Sequence, residues 1–296
     1  MKRRWHGLSD AAKGTLAGII AACCFAAYLL INQHVFSRFD VGALDYALLF
    51  NAMAGVFAGV SLAASTTTHK IAKLRTDWRE LLLLSFLGLA GMLLLVFGQA
   101  YTTSIHTSLL VTASIIFTML FSGIFLHERV TTRQKWWVVC MFAGLYIAIV
   151  GLHPTSMHAG DAIILIGTVM FGAGNVLSRS LMRKHDAAII PDFRMFAVGG
   201  VAALIYGLFF RSIDIVSVVG AWAVAAALLF WLAKRFFSTA VHLVNANHAI
   251  VLVNAQIVPA SIASVLLLGE SYSWEKMFGS CIVLASIYYI AWKGRN

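Results

Sequence analysis

Ten long apolar segments, separated by short polar stretches, make up most of the chain. They lie at residues 14–34, 43–64, 80–100, 105–126, 135–151, 160–181, 191–210, 220–241, 247–268 and 275–292. A helix that spans a bilayer needs about 20 predominantly apolar residues, and most of these segments reach that length. Charged residues form only 11% of the sequence, against about 25% in a typical soluble domain. The sequence therefore predicts an all-α polytopic membrane protein with ten transmembrane helices.

The distribution of Lys and Arg predicts the orientation of the chain in the membrane. All but five of the 22 basic residues, including Arg194, fall on the same side as the N-terminus. The exceptions are Arg38, Arg211, Lys276, Lys234 and Arg235. Basic residues accumulate in cytoplasmic loops, so we expect both termini to be cytoplasmic. The net charge of +10 then reflects loops in contact with a lipid bilayer, and we expect no nucleic-acid partner.

The sequence contains an internal repeat. Residues 106–128 match residues 248–270 at a constant offset of 142, with eight of 23 positions identical. A weaker similarity joins residues 14–25 to residues 160–171. The sequence is therefore divided into a first repeat, 1–152, and a second repeat, 153–296, with five helices each. Because five is odd, the second copy enters the membrane upside down, which is typical of transporters that bind substrate between inverted repeats.

Two matching stretches carry a family resemblance. Ala100-Tyr-Thr-Thr-Ser, continuing to Leu126-His-Glu, and its copy from Ala240 to Leu268-Gly-Glu resemble the two EamA-type halves of the drug/metabolite transporter superfamily. The resemblance implies ten helices, a bacterial inner membrane and transport of small polar metabolites. The family usually has a proline midway along the fourth and ninth helices. Here the ninth has Pro259, whereas the fourth has Phe117.

Lys234 and Arg235 interrupt a nearly continuous apolar stretch. In one interpretation the eighth helix ends at Ala233 and the pair lies in a cytoplasmic loop. In the other, the repeat offset aligns the pair with the middle of the third helix and places both cations within the membrane. A cation at that depth costs at least ~2.5–3.5 kcal/mol and normally faces water or a partner. Since no acidic residue lies in the middle of a predicted span, such a centre favours an anionic substrate.

Further polar residues within the spans are candidate substrate contacts. They are Asn247, His248, Asn254 and Gln256 in the ninth helix, His106 and Thr112 in the fourth, Tyr28 and Asn32 in the first, and Asn175 in the sixth. Thr112 and Asn254 occupy equivalent places in the two repeats, which favours symmetric positions in a cavity. For the ninth helix, hydrogen bonding to a neighbouring helix is the alternative. For His106 and His248 the alternatives are a structural hydrogen bond and titration near neutral pH. In the family, the first and sixth helices border the central cavity, so the resemblance implies that Tyr28, Asn32 and Asn175 line it.

Two glutamates, Glu128 and Glu270, stand at the carboxyl ends of the fourth and ninth helices. A carboxylate there opposes the helix dipole unless the amino end of another helix receives it. We therefore expect both to cap the helix that follows, and so to hold the hairpins between helices 4 and 5 and between helices 9 and 10.

The combined observations predict a transporter that works by alternating access. The leading hypothesis is export of amino acids or related small carboxylates across the inner membrane. The alternative is a facilitator or importer of a neutral, zwitterionic or quaternary-amine metabolite such as a nucleoside, a vitamin or a choline-like compound. We expect no enzymatic activity, no cofactor and no metal site, because catalytic motifs are lacking and the four cysteines are scattered. The oligomeric state stays open, a homodimer included.

Overall fold

The computed structural model describes residues 9–65, 75–127, 131–150, 158–185, 189–210, 213–243 and 251–292. Within these residues the chain forms ten helices and no strand. The helices are α1 (Asp10–Arg38), α2 (Ala43–Ser65), α3 (Trp78–Gln99), α4 (Ser104–Phe125), α5 (Thr132–Ile149), α6 (Ala159–Lys184), α7 (Ile189–Ile205), α8 (Ile213–Leu243), α9 (Val251–Leu268) and α10 (Trp274–Trp292). Eight of them are long and apolar enough to cross a membrane. The predicted polytopic all-α fold is confirmed.

The remaining two helices, α5 and α10, have 18 and 19 residues and pack against each other. Their contact is close because Gly144 and Gly279 meet there: a Cβ atom on Gly144 would lie 3.0 Å from the carbonyl oxygen of Gly279. Toward one end of the pair, the rings of Trp137 and Tyr289 stack with centroids 4.3 Å apart. Aromatic rings of this kind are enriched where membrane helices reach the lipid headgroups.

The pairing of helices follows the symmetry expected of two inverted repeats. The main contacts join α1 to α8, α3 to α6, α2 to α7 and α5 to α10. When the two repeats are exchanged, the contact of α1 with α8 becomes the contact of α6 with α3. The contacts of α2 with α7 and of α5 with α10 are unchanged by the exchange. At the crossing of α2 and α7, a Cβ on Gly55 would lie 2.6 Å from the Cα of Gly199. The two glycines therefore face each other across the symmetry axis and permit close approach of the helices.

Both α4 and α9 are interrupted at equivalent positions. The turn falls at Ala113 in α4 and at Ala255–Gln256 in α9, which are 142 residues apart like the repeats. In α9, Pro259 has no N–H to donate to the carbonyl of Ala255. In α4, Phe117 donates only a long hydrogen bond of 3.4 Å to the carbonyl of Ala113. The symmetric interruption therefore persists although phenylalanine replaces the proline that is usual in the resembling family.

A group of ion pairs lies at one end of the bundle. We call the end at which α1 begins the basic face and the other end the opposite face. On the basic face, Lys184 at the end of α6 contacts Asp77 and Glu80, with N–O distances of 3.2 and 2.9 Å. His185 lies 2.7 Å from Asp77. Hydrogen bonds from His185 and Lys184 lower the pKa of Asp77, so this partly exposed ion-pair group joins α3 to α6 at neutral pH.

Candidate functional site

Lys234 lies inside α8, nine residues before its last residue, Leu243. The interpretation that placed it in a loop is wrong, because the helix continues through Lys234 and Arg235 without a turn. The Nζ atom of Lys234 lies 5.2 Å from the ring centroid of Phe25 and 5.4 Å from that of Phe230. Both rings are within the range in which an aromatic face attracts a cation.

The rings beneath Lys234 belong to an aromatic cluster formed by Phe25, Tyr28, Phe50 and Phe230. Tyr28 is 2% exposed, and its ring centroid lies 5.1 Å from that of Phe230 in an edge-to-face arrangement. The cluster draws its members from α1, α2 and α8 and forms part of the largest apolar core. Of the predicted site residues, the structure therefore brings Lys234 and Tyr28 together.

Arg235 points to a different partner. Its Nη1 atom lies 3.0 Å from Oδ2 of Asp192, in the first turn of α7. The same carboxylate oxygen accepts a hydrogen bond of 2.7 Å from the hydroxyl of Ser61 in α2. The Asp192 side chain is only 4% exposed, so the carboxylate is enclosed and its charge is balanced by Arg235. Of the two adjacent cations, Arg235 is thus neutralised within the chain.

Arg194 is not among the substrate contacts that the sequence predicts: it contributes there only to the basic charge on the N-terminal side, although the predicted segment 191–210 contains it. It is the sixth residue of α7 (Ile189–Ile205), and its side chain reaches between α3 and α6. A Cβ atom on Gly88 would lie 2.7 Å from the Arg194 Nε, and one on Gly174 would lie 3.7 Å from Nη1. Pro191 is the signal that could have found it, since proline is tolerated in the first turn of a helix. With Pro191 in that turn, Arg194 must lie inside the span.

Lys234 and Arg194 form what we call the cation pair. Arg194 acts electrostatically on Lys234. Within the residues that the structure describes, neither is paired with a carboxylate. Both residues are half-buried, and two like charges between apolar helices are costly unless an anion neutralises them. The cation pair is therefore chemically suited to bind an anionic group supplied from outside the chain.

The other predicted contacts within the described residues are distributed around this centre. Asn32 is fully buried, accepts a hydrogen bond of 2.9 Å from Tyr46 and contacts Gln99 at 3.4 Å. Its side-chain groups therefore join α1 to α2 and α3. Asn175 is accessible and donates to the hydroxyl of Thr118 at 3.2 Å, and it follows Gly174 directly. Asn175 is thus a polar group one residue from the Arg194 contact.

Three predicted positions lie in α4 and α9 near the interruptions. The buried hydroxyl of Thr112 donates to the carbonyl of Ser108 at 2.8 Å, within its own helix. Asn254 is half-buried in α9. Gln256 is 4% exposed, and in the described part of the chain its Oε1 has no hydrogen-bond donor. Asn247 and His248 lie outside the described residues, so their predicted roles stay predictions.

His106 lies at the opposite face, away from the cation pair. Its Nδ1 atom is 3.2 Å from Oδ2 of Asp161 in the first turn of α6. Nearby, the carboxylate of Glu270 accepts hydrogen bonds of 2.8 and 3.3 Å from the N–H groups of Ser104 and Ile105. The expectation that Glu270 caps α10 is therefore corrected: it caps the amino end of α4, because α4 of the first repeat and the end of α9 meet at this face. Glu128 lies outside the described residues.

Comparisons of sequence indicate a class of protein, and a comparison of structures concerns the fold. A model of the EamA-like transporter family matches residues 12–150 and 158–292. An uncharacterized transporter of Archaeoglobus fulgidus is 24% identical over 125 residues, which make up 41% of this chain and 45% of that protein. The match thus spans less than half of that relative. A protein of known crystal structure superposes with a TM-score of 0.67 and 14% identity, over 96% of this chain and 99% of the other. At that identity the likeness concerns the fold alone.

Proposed function

Because the chain belongs to the EamA-like transporter family, we propose that it exports amino acids or related small carboxylates by alternating access. The membrane is the inner membrane of a bacterium, with the basic face and both termini in the cytoplasm. This orientation follows from the excess of Lys and Arg on that side. Alternating access requires one state open to each side of the membrane. Two inverted repeats provide both states, since exchange of the conformations of the two repeats converts one state into the other.

The observation that carries the proposal is the cation pair. Arg235 already has Asp192 at 3.0 Å, whereas Lys234 and Arg194 have no carboxylate among the described residues. A substrate carboxylate placed between them neutralises their positive charge and accepts charge-assisted hydrogen bonds. An amino acid adds an ammonium group and a side chain, which Asn175 and the aromatic cluster can contact. The carboxylate of the substrate therefore balances the positive charge of Lys234 and Arg194.

The alternative substrate, a quaternary amine, would need an aromatic cage without its own cation. In this protein the ammonium group of Lys234 already lies over Phe25 and Phe230. A second cation would be repelled by both Lys234 and Arg194. The aromatic cluster therefore supports binding of an anion by holding Lys234, and gives no support to binding of a quaternary amine.

The test is transport by purified protein in proteoliposomes, with a panel of radiolabelled amino acids and organic acids. For a transported carboxylate, we expect Lys234→Gln and Arg194→Gln to weaken the apparent affinity by about tenfold to a hundredfold, because a hydrogen bond to a charged group contributes about 1.5–3 kcal/mol. Neither change should lower the thermal midpoint of the free protein, since each removes an unbalanced interior charge. Unchanged affinity in both variants would contradict the proposal.

A matched control removes the neighbouring cation, Arg235, which Asp192 already neutralises. In the double variant Asp192→Asn/Arg235→Gln the net charge of the pair stays zero, and transport affinity should change by less than about threefold. The single variant Arg235→Gln leaves the enclosed Asp192 carboxylate unpaired, and we expect it to lower the thermal midpoint more than the double variant does. The control therefore separates loss of substrate binding from loss of structure.

A further inference from the structure

Three side chains with metal-binding atoms meet at the opposite face, where α4 and α6 begin. They are His106 in α4, His158 at the residue before α6, and Asp161 in the first turn of α6, and we call them the His–His–Asp cluster. One ligand atom from each lies within 4.8 Å of the other two. The Nδ1 atoms of His106 and His158 are 3.2 and 3.8 Å from Oδ2 of Asp161. The proposed carboxylate transport makes no use of this cluster.

The spacing fits a tetrahedral transition-metal site. Zinc binds nitrogen and oxygen ligands at about 2.0–2.1 Å, which separates neighbouring ligand atoms by about 3.3–3.4 Å. The two His–Asp distances bracket this value, and the ligand atoms of the two histidines lie within 4.8 Å of each other, so rotation of the side chains can bring all three ligand atoms onto one ion. His106 and Asp161 are buried, whereas the side chain of His158 is 47% exposed. An ion can therefore reach the cluster on the side of His158.

The carboxylate is held in place before any ion arrives. The other oxygen of Asp161, Oδ1, accepts a hydrogen bond of 2.5 Å from the hydroxyl of Thr102. Oδ2 accepts one of 2.9 Å from the backbone N–H of His158. Hydrogen bonds of this kind orient metal-binding carboxylates, and their loss commonly weakens metal affinity by about 10–100-fold. Thr102 is therefore a positioning residue for the cluster.

The ligand set and the nearby charges select the class of ion. Two imidazoles and one carboxylate suit Zn²⁺ and similar ions, whereas Mg²⁺ and Ca²⁺ prefer sites made of oxygen atoms. Lys276 and Glu270 act electrostatically in the same region, and their opposite charges offset each other. The Nε2 atom of His106 is buried without a partner in the described part of the chain. Its N–H would stay unpaired when Nδ1 binds metal, so affinity should be weaker than in a structural zinc site.

We propose that the His–His–Asp cluster binds Zn²⁺ or a similar transition-metal ion from the opposite face. A bound ion joins α4 of the first repeat to α6 of the second at this end of the bundle. The consequence for transport, which rests on the proposed function, is inhibition: a crosslink between the repeats prevents the relative movement that alternating access requires. Binding itself does not depend on that proposal.

The site is tested by calorimetric titration of the purified full chain, with its affinity tag removed, against ZnCl₂ and MgCl₂. We expect one zinc ion to bind each chain and magnesium not to bind. The variant His158→Ala should weaken zinc binding at least about tenfold, and Thr102→Val by about tenfold. A matched control is His34→Ala, which removes an imidazole near the same face but outside the cluster, and should leave binding unchanged. Absence of zinc binding, or equal binding by His158→Ala, would overturn the site.

The crosslink is tested separately in proteoliposomes by adding zinc on the side of the opposite face. Each protein is compared with its own rate in the absence of zinc. We expect zinc to inhibit the wild-type protein and His34→Ala, and to have little effect on His158→Ala. Zinc binding without inhibition would overturn the crosslink. If no carboxylate is transported at all, the proposed function fails while the calorimetric titration still decides the site.

Discussion

The two repeats build the same three-helix contact with different side chains. In one contact, Phe50 of α2 lies against Tyr28 of α1 and Phe230 of α8, with ring centroids 6.0 and 5.7 Å away. Exchange of the repeats replaces α2, α1 and α8 by α7, α6 and α3. The equivalent contact is therefore the one in which α7 meets α6 and α3.

The residues in that second contact are Arg194, Gly174 and Gly88. Arg194 corresponds to Phe50 when Gly55 is aligned with Gly199, the pair that meets on the symmetry axis. Gly174 corresponds to Tyr28, and Gly88 to Phe230, at the offsets that the sequence repeat gives for those helices. The first contact thus packs three aromatic rings, and we call it the aromatic copy. The second places a guanidinium group between two glycines, and we call it the glycine copy.

The difference indicates where specificity arises in a symmetric fold. Backbone features such as the interruptions at Ala113 and Ala255 are shared by both repeats. The chemical groups that suit an anion lie where the repeats differ, and both members of the cation pair, Lys234 and Arg194, belong to the second repeat. The aromatic copy then acts as a rigid support on which Lys234 rests.

Removal of a ring from the aromatic copy should have the largest effect. Phe50 is fully buried, and Phe50→Ala leaves a cavity between α1, α2 and α8. We expect a loss of about 3–5 kcal/mol in the free energy of unfolding, seen as a lower thermal midpoint in detergent. A midpoint equal to that of the wild-type protein would show that the aromatic copy does not support the bundle.

A small addition to the glycine copy should impair transport rather than folding. In Gly88→Ala the new Cβ would lie 2.7 Å from the Arg194 Nε, so the guanidinium group must move. We expect a roughly tenfold weaker apparent affinity for the carboxylate substrate, equivalent to about 1.4 kcal/mol. The apparent affinities of Gly88→Ala and the wild-type protein are compared by measuring uptake at several substrate concentrations. Unchanged affinity would mean that the position of Arg194 is not critical.

The matched glycine on α6 should tolerate the same change. In Gly174→Ala the new Cβ would lie 3.7 Å from Arg194 Nη1, which is an ordinary van der Waals separation. We expect less than about a twofold change in apparent affinity, equivalent to about 0.4 kcal/mol. If Gly174→Ala and Gly88→Ala weaken transport equally, the proposed geometry around Arg194 is wrong.

Hydropathy and the internal repeat predict the fold well, because lipid forces each span into a helix that satisfies its own backbone. The repeat also favours the position of Lys234 within a helix, since the offset of 142 aligns Lys234 with a residue in the middle of α3. The pairing of Arg235 with Asp192 could not be predicted in this way. The two residues lie 43 positions apart, on helices whose relative rotation depends on side-chain packing.

Equivalence between the repeats does not predict a role for Arg194. Thr112 and Asn254 are equivalent by sequence, and that equivalence favours both as positions in a cavity. The hydroxyl of Thr112, however, is used within α4. Arg194 lies near the start of the predicted segment 191–210, where a basic residue contributes to the predicted orientation and indicates no site. Only the three-dimensional contact with Gly88 shows that the guanidinium group lies between helices.

The central claim is that the cation pair binds a carboxylate, and a thermal-shift comparison tests it most directly. Purified wild-type protein is screened against amino acids and organic acids, each beside its neutral amide analogue, since a ligand that binds only the folded state raises the thermal midpoint. We expect at least one carboxylate to stabilise the wild-type protein while its amide does not, and this difference to disappear in Lys234→Gln/Arg194→Gln. Equal stabilisation by the amide, or a full shift in the double variant, would contradict the claim.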